Sequence, residues 1–454
     1  MDQTTARLAR FAASYEFGSL SAEVIHECKR RIIDSVACAA AAFAEPFCAR
    51  ARTFCGRYMA TPPARVWGTG SETSVEMAGF ANGIMTRFLD YNDTFLSKGA
   101  GHPSDMIGGL LALAEAYERD GAALITAIVL AYEVYCSLCE AVALDAKGLD
   151  QAVNAAVGTA AGASKLLDLS VEQTANAFAL ALAANLHLYN VRCGELSDWK
   201  GCAGPNGVRN GLFAALLARD GFTGPTAVVE GRTGFFDLIG RFEWLVGSFG
   251  RALLLGTNIK HYPVCYHGQA AVDGTIKLRG KVPLHLIEDI HVEVYDAAYR
   301  AMGNEHQKWT PSTRETADHS LPFAVAVTLE DGCITAASYG ESRMRDARTK
   351  TLMEKVRVSS SPAMTAAFPA RPQTRITIRD ASGATHVQEV EFPKGHVRNP
   401  LSDFELEEKF LQNYTPMGDA KAARHCLRIL WSAEEQANAA RIVDALCPTA
   451  RATH

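Results

Sequence analysis

The chain has 454 residues, 48% hydrophobic and 21% charged, the balance of an ordinary globular protein long enough to bury a large core and to divide into two domains. Its formal net charge of -5 excludes a general attraction to nucleic acid or to an anionic membrane, and leaves room for a local basic pocket that takes a small anion.

The N-terminal text MDQTTARLARFAASYEFG holds no long apolar run, so no secretory signal is expected. From residue 20 to about residue 260 the text is helical, beginning with SAEVIHECKRRIIDSVACAAAAF, whose apolar residues recur at three and four. The stretch RFLDYNDTFLSKGAGHPSD then sets Asp90, Asp93, Thr94, His102 and Asp105 against the apolar text MIGGLLALAEAY. Either it is a solvated loop or it is the floor of a pocket, and His102-Pro103-Ser104-Asp105 is expected to cap the helix that follows. Asp120-Gly121 breaks that helix. The next, ALITAIVLAYEVYCSLCEAV, carries Glu133 and Glu140, so a buried helix explains it better than a membrane span.

Twelve cysteines are scattered through apolar helical text and read as reduced cytosolic thiols. The pair Cys136 and Cys139 falls on one helix face, which fits core packing. No Cys/His set beside it has zinc spacing, and a cubane cluster needs a further Cys, so no metal is expected. No GxxxxGK[ST] occurs and no GxGxxG follows a strand. LSVEQTANAFALALAANLHL opens with a capping-box pair, Ser170 and Gln173.

After about residue 270 the character changes. LIEDIHVEVYDAA alternates like a strand at His291 to Val294. TRITIRDASGATHVQEVEFP reads as a hairpin, with Ile376 and Ile378 on one face, a turn at Asp380 to Gly383, and Val390 and Phe392 answering. Ser402 with Glu405, and Ser432 with Glu435, are expected to restart helices. The fold class is mainly α with an α+β part: a large helical domain over 1–268 and 402–454, and a smaller α+β domain over 269–401.

Four stretches hold chemistry. In the first, a His just before a helix N-terminus and near carboxylates can serve as acid or base, or simply cap the helix. In LSDWKGCAGPNGVRNGLFAALLARDGFTGP, Lys200 stands among small apolar neighbours, where a Lys binds a carboxylate or loses its charge by desolvation. In NIKHYPVCYHGQAAVDG, Lys260, His261, Tyr262 and His267 sit at the domain junction, a place where pockets form, or a basic hinge facing water. In KWTPSTRETADHSLPFAVAVTLEDG, Arg314, Glu315, Asp318 and His319 form a salt-bridged helix start or the lid side of a site; Arg314 and Glu315 lean structural and His319 stays open. Lys, His, Thr and acids without a nucleotide loop or a nucleophile elbow suit a small polyanionic substrate, whose proton beside a carboxylate needs a base and cations to hold the developing charge.

FLDYNDT with HPSD, WKGCA, GFTGP, KHYPVCYHGQAAVD, RETADHSLPF and PLSDFELEEKF, in that order over residues 20 to 440, resemble the MmgE/PrpD family. That family contains 2-methylcitrate dehydratases, cis-aconitate decarboxylases and iminodisuccinate epimerases, and RETADHS with HPSD most resembles its dehydratase branch. The resemblance implies a helical domain with an α+β lid, usually dimeric, and no metal or cofactor. It places the family's site aspartate on Asp90, its threonine on Thr94, its histidine on His102 and its lysines on Lys200 and Lys260. Asp90, His102 and Lys200 are the catalytic expectation; Asp93, Thr94, Gln151, Lys260 and His267 are the substrate-binding one, Asp93 only as a neighbour.

Two positions depart from the family: Gln151 stands where members often carry His, and Phe323 where they carry Tyr. The expectation is a cytoplasmic, cofactor-independent lyase that dehydrates a 2-methylcitrate-like tricarboxylate, with Asp90 and His102 sharing the acid/base work. Its partners are a small di- or tricarboxylate and a second copy of the chain, with no nucleic acid and no membrane. The alternatives are an epimerase of an iminodisuccinate-like acid, a decarboxylase of cis-aconitate, and a protein that only binds polycarboxylates.

Overall fold

The computed structural model describes residues 1–248 and 251–448. Among them, twenty α-helices accompany one mixed four-stranded sheet and two small two-stranded pairings, so the chain is mainly α with a small α+β part. The helix Ala22–Ala42 starts at Ser21, whose hydroxyl accepts the Val24 N–H at 3.2 Å. Ser170 with Gln173 and Ser402 with Glu405 form capping boxes for the helices Val171–Ala183 and Asp403–Asn413. Gly121–Ala141 is the helix, among the described residues, long and apolar enough to cross a membrane; 89% of its most apolar window is buried inside the fold. Cys136 and Cys139 lie on it and are buried, as core packing requires.

Two expected helix starts differ. Ser432 does not cap a helix with Glu435: its hydroxyl turns back to the Arg428 carbonyl at 3.2 Å, and only a three-residue 3-10 turn, Ala433–Glu435, follows. Helix resumes at Ala440–Leu446. His102-Pro103-Ser104-Asp105 likewise supplies no side-chain cap, because Pro103–Met106 forms a 3-10 turn that leads into the helix Ile107–Ala116. The Ser104 N–H is taken instead by the distant carboxylate of Asp93, at 3.0 Å.

The sheet runs Val356–Ser360, Ile287–Val294, Thr374–Asp380, Thr385–Val390 across its width. Ile287–Val294 is parallel to the first and antiparallel to the third. In the hairpin Thr374 faces Val390 and Ile376 faces Gln388, with Ile376, Ile378 and Val390 buried. The turn uses Gly383 at φ 84° and an Asp380 carboxylate that accepts the Ser382 N–H at 2.9 Å. Phe392 lies past the strand end. The strand Val356–Ser360 is not anticipated by the sequence reading, since its alternation is confined to Val356-Arg357-Val358.

Buried apolar side chains gather into two cores. One collects residues from Leu8 to Ile259 and again from Leu401 to Cys447; the other runs from Val264 to Ile378. Residues 449–454 of the expected C-terminal tail lie outside the described residues. The chain passes from one core to the other between Ile259 and Val264, and Lys260 sits on that passage. Each fully buried Leu, Ile or Val contributes roughly 1.5–3 kcal/mol, which secures the two frames that hold the polar junction between them.

Candidate functional site

Close helix packing creates the junction. The helix Val75–Arg87 lies against Trp199–Arg219 through Gly83, where an added Cβ would stand 3.1 Å from the Pro205 Cβ. That approach brings the loop after Arg87 to the N-terminal turn carrying Lys200. A second tie, Thr94 N–H to Asn258 O at 2.9 Å and Asn258 N–H to Thr94 O at 2.8 Å, brings Lys260 to the same loop.

Asp90 is the hub. It sits in the left-handed region at φ 49°, a conformation Asp tolerates better than most residues and one often found where a side chain must be aimed. Lys200 Nζ lies 2.9 Å from Asp90 Oδ2, and 2.9 and 3.1 Å from the two Asp318 oxygens. Lys260 Nζ donates to the Asp90 main-chain carbonyl at 2.8 Å and to its Oδ1. Arg87 Nη1 lies 3.1 Å from Asp90 Oδ1, and His319 Nε2 lies 3.5 Å from Asp90 Oδ2. Arg314 donates to Asp318 at 3.2 Å and to the Phe88 carbonyl at 2.9 Å, its guanidinium lying over the Phe88 and Tyr339 rings. Asp90, Lys200, Lys260, Arg87 and Asp318 are all buried.

Electrostatics follow from this geometry. Against the desolvation that burial imposes, the charges of Arg87, Lys200, Lys260 and His319 hold the Asp90 carboxyl well below the usual carboxylate range. Asp318 is lowered likewise, by Lys200 and then His319 acting against burial. His319 moves upward: burial and the Lys200 charge oppose its own, but a Cys265 thiolate, Asp318 and a short contact of 2.5 Å from its Nδ1 to Asp318 Oδ1 favour the imidazolium. Asp90, Asp318 and His319 offer ligand atoms close enough to share a metal ion. Yet Arg87, Lys200, Lys260 and Arg314 bring four cationic side chains to two carboxylates, and that surplus fits an anion better than a cation even though burial lowers Lys260.

His102 stands beside this hub. Its Nδ1 lies 2.7 Å from the Asp93 carbonyl oxygen, so the ring donates there and keeps a lone pair on Nε2; the Thr94 hydroxyl is 3.2 Å from the same Nδ1. Burial, then the charges of Arg87 and Lys260, push His102 well below its ordinary value, so the ring is neutral at neutral pH.

The remaining sequence candidates divide. The Asp93 carboxylate is committed to the fold, accepting the Ser104 N–H at 3.0 Å and the Tyr132 hydroxyl at 2.9 Å; its backbone, not its side chain, touches His102. Thr94 bonds the His102 ring. Gln151 lies behind His102, with its Oε1 on the Tyr135 hydroxyl and 3.4 Å from the His102 N–H, and its Nε2 3.4 Å from Asp105. Burial pushes Asp105 up to about 6, against the charge of Arg87. His267 bonds the Tyr295 hydroxyl at 2.6 Å, and burial followed by the His319 and Lys260 charges lowers it to about 4. Phe323 is buried against Tyr339, whose hydroxyl donates to the Pro263 carbonyl at 2.6 Å. Glu315 is buried beside Asp318 and raised, first by desolvation.

Two residues at the junction escape the sequence reading. Arg87 ends its helix facing Asp90. Lys409, from Asp403–Asn413, donates to Asp34 at 2.6 Å, to the Lys260 carbonyl at 2.8 Å and to the Tyr91 carbonyl at 3.2 Å, with its ammonium 3.6 Å from the Tyr91 ring centroid. It thereby ties together the two segments that carry Asp90 and Lys260. The signal for both is a cation in an apolar helical setting: Arg87 after Ala81-Asn82-Gly83-Ile84-Met85, and Lys409 directly before Phe410 and Leu411. Two surface cavities, of about 180 Å³ beside Lys165 and Asp168 and about 500 Å³ beside Arg424 and Asp444, are lined by none of the junction residues.

The same chain is similar to curated proteins over nearly its whole length. It is 29% identical to the 2-methylcitrate dehydratase of Cupriavidus necator over 91% of this chain and 90% of that one. It is 28% identical to the 2-methylcitrate dehydratase of Escherichia coli K12, over 87% and 86%, and 29% identical to a 2-methylcitrate dehydratase-like protein of Aspergillus oryzae, over 77% and 76%. Residues 6–243 match the MmgE/PrpD N-terminal domain and residues 262–435 the MmgE/PrpD C-terminal domain, and the chain belongs to the MmgE/PrpD family.

Proposed function

We propose that the chain is a hydro-lyase that removes water from a 2-methylcitrate-like tricarboxylate. The observation that carries this reading is the neutral His102, its tautomer set by the Asp93 carbonyl, held beside a buried cluster with more positive than negative charge. The names of the relatives point the same way.

Elimination needs a base at the carbon beside a carboxylate, cations to hold the enolate-like charge, and an acid for the departing hydroxyl. His102 Nε2 takes the carbon-bound proton. The C–H electrons become the double bond, and the hydroxyl leaves with the proton of the His319 imidazolium, so water and an alkene result. Asp90 is ionised among cations and does not donate a proton; it positions Lys200 and Lys260. Lys200 Nζ is surrounded by three Asp oxygens, whereas Lys260 Nζ contacts two oxygens of Asp90 and keeps one N–H for a substrate carboxylate. Entry requires the segment carrying Asp318 and His319 to part from the one carrying Asp90, a motion between the two cores. Twelve unbridged cysteines support a reducing, cytoplasmic setting.

The test is addition of 2-methylcitrate while following the ultraviolet absorbance of a conjugated enoate. A rise that depends on His102 supports the reading, and its absence at any enzyme concentration defeats it. A second reading, epimerisation of an iminodisuccinate-like acid, draws on Gln151 and Phe323, which offer no group that gains or loses a proton near neutral pH for an elimination route. Deuterium entering the α-carbon from heavy water without an unsaturated product selects it. Carbon dioxide released from cis-aconitate selects a decarboxylase.

A further inference from the structure

Arg87 is a buried cation without a carboxylate of its own. It ends the helix Val75–Arg87, where the helix dipole tolerates positive charge, and its side chain is 1% exposed. Its single acidic partner in contact is Asp90, whose oxygens are already taken by Lys200 and Lys260. Arg87 Nη2 reaches Asp90 Oδ2 only at 3.5 Å and Nη1 lies 3.1 Å from Asp90 Oδ1 without the alignment of a hydrogen bond, while Nε is buried with no hydrogen-bond partner among the described residues. Buried charged donors are rarely left unmatched, because each costs its full desolvation.

The unmatched donors lie inside the site. The guanidinium lies against the Asp90 carboxylate that Lys200 and Lys260 also contact, and its charge also lowers His102 and Lys260. Lys260 offers one N–H to an incoming anion, and Arg87 adds its Nε donor and an Nη1 that is in ion-pair contact with Asp90 but not hydrogen-bonded to it.

We propose that Arg87 receives an additional carboxylate of the ligand and so makes the site selective for tricarboxylates over dicarboxylates. The inference rests on the reading of the junction as a polycarboxylate site and assigns the group that counts the carboxylates. Elimination itself does not need this carboxylate; tight and oriented binding does.

The experiment is isothermal titration calorimetry at neutral pH with propane-1,2,3-tricarboxylate and with pentanedioate, neither of which has a hydroxyl to lose. The wild-type protein is expected to bind the tricarboxylate at least ~10-fold more tightly, the range of one charge-assisted contact. Arg87→Met is expected to weaken the tricarboxylate ~10- to 100-fold and the dicarboxylate less than about 2-fold. Arg87→Lys, which keeps the charge and loses the fork, is expected to lie between the two. A thermal melt of each variant checks that it is folded.

A wild type without preference overturns the inference, and so does an Arg87→Met variant that weakens both ligands alike or leaves the tricarboxylate untouched. If Arg87→Met does not fold, Arg87→Lys decides, and an unchanged preference in it counts against the inference. A wild type that shows the Arg87-dependent preference yet never dehydrates 2-methylcitrate defeats the dehydratase reading and leaves this one standing.

Discussion

The His102 ring nitrogen Nδ1 lies 2.7 Å from the main-chain carbonyl of Asp93. A carbonyl only accepts, so Nδ1 carries the proton and the ring's lone pair is on Nε2. The relationship is made by backbone, which any residue at position 93 supplies; the Asp side chain there is spent on Ser104 and Tyr132.

The proposed elimination draws on that tautomer and on two opposite shifts. His102 is lowered well below its ordinary value by burial and by Arg87 and Lys260, so it works as a base while neutral and is lost only as pH falls through that depressed value. His319 is raised, so it works as an acid while protonated and is lost as pH rises through its elevated value. The kcat/KM profile is therefore expected to be a bell whose acid limb has its midpoint below about 6.5 and whose alkaline limb lies above it. His319→Asn removes the alkaline limb and His102→Asn abolishes turnover. An acid limb centred above that value contradicts the assignment.

Asp90→Asn keeps the left-handed backbone, which Asn tolerates, and removes the counter-charge to Lys200, Lys260 and Arg87. Breaking such a buried set costs about 3–5 kcal/mol. The Asp90 pKa is depressed in the folded protein, so its contribution is fully present above the unfolded value near ~3.9 and is lost as pH falls toward the folded value. Urea unfolding at several pH values should show the wild type and the variant well separated at neutral pH and converging in acid. Equal stabilities at neutral pH would remove Asp90 from the centre of the cluster.

Lys409 separates folding from function. Lys409→Met leaves Asp34 buried and unpaired, at a cost of about 3–5 kcal/mol, and also frees the carbonyls of Tyr91 and Lys260. The double variant Asp34→Leu with Lys409→Met replaces the pair by apolar side chains and is expected to recover much of the stability. Its kcat/KM is expected to stay ~10-fold low, since a misplaced binding group weakens the reaction even when the fold holds. Denaturation and steady-state kinetics on both variants check this, and full recovery of activity in the double variant would confine Lys409 to a structural role.

Much of the site was legible because its residues lie in short polar stretches interrupting apolar helices. Asp90, His102, Lys200 and Lys260 announce themselves against such text, and the structure brings them to one junction. His319 stands out in the sequence but its place does not, because its contact with Asp90 joins segments over two hundred residues apart. Asp93 illustrates the limit: composition shows an acid beside the site, while only the packing of Ser104 and Tyr132 shows that its carboxylate is consumed there. Arg87 reads as an ordinary last-turn cation, and the unmatched N–H groups that set it apart exist only once burial and partners are known. The strand Val356–Ser360 is hidden in the sequence because its parallel partner Ile287–Val294 lies far off along the chain and no hairpin turn joins them.

The most direct measurement of the central claim is proton NMR in heavy water with 2-methylcitrate, comparing the wild type with His102→Asn. The wild type should lose the substrate's α-proton signal as its methyl doublet gives way to the singlet of a methyl on a double bond, and His102→Asn should show neither change while still binding the acid. Loss of that proton at the same rate in both proteins would contradict the assignment of His102 as the base at a cationic, polycarboxylate-binding junction.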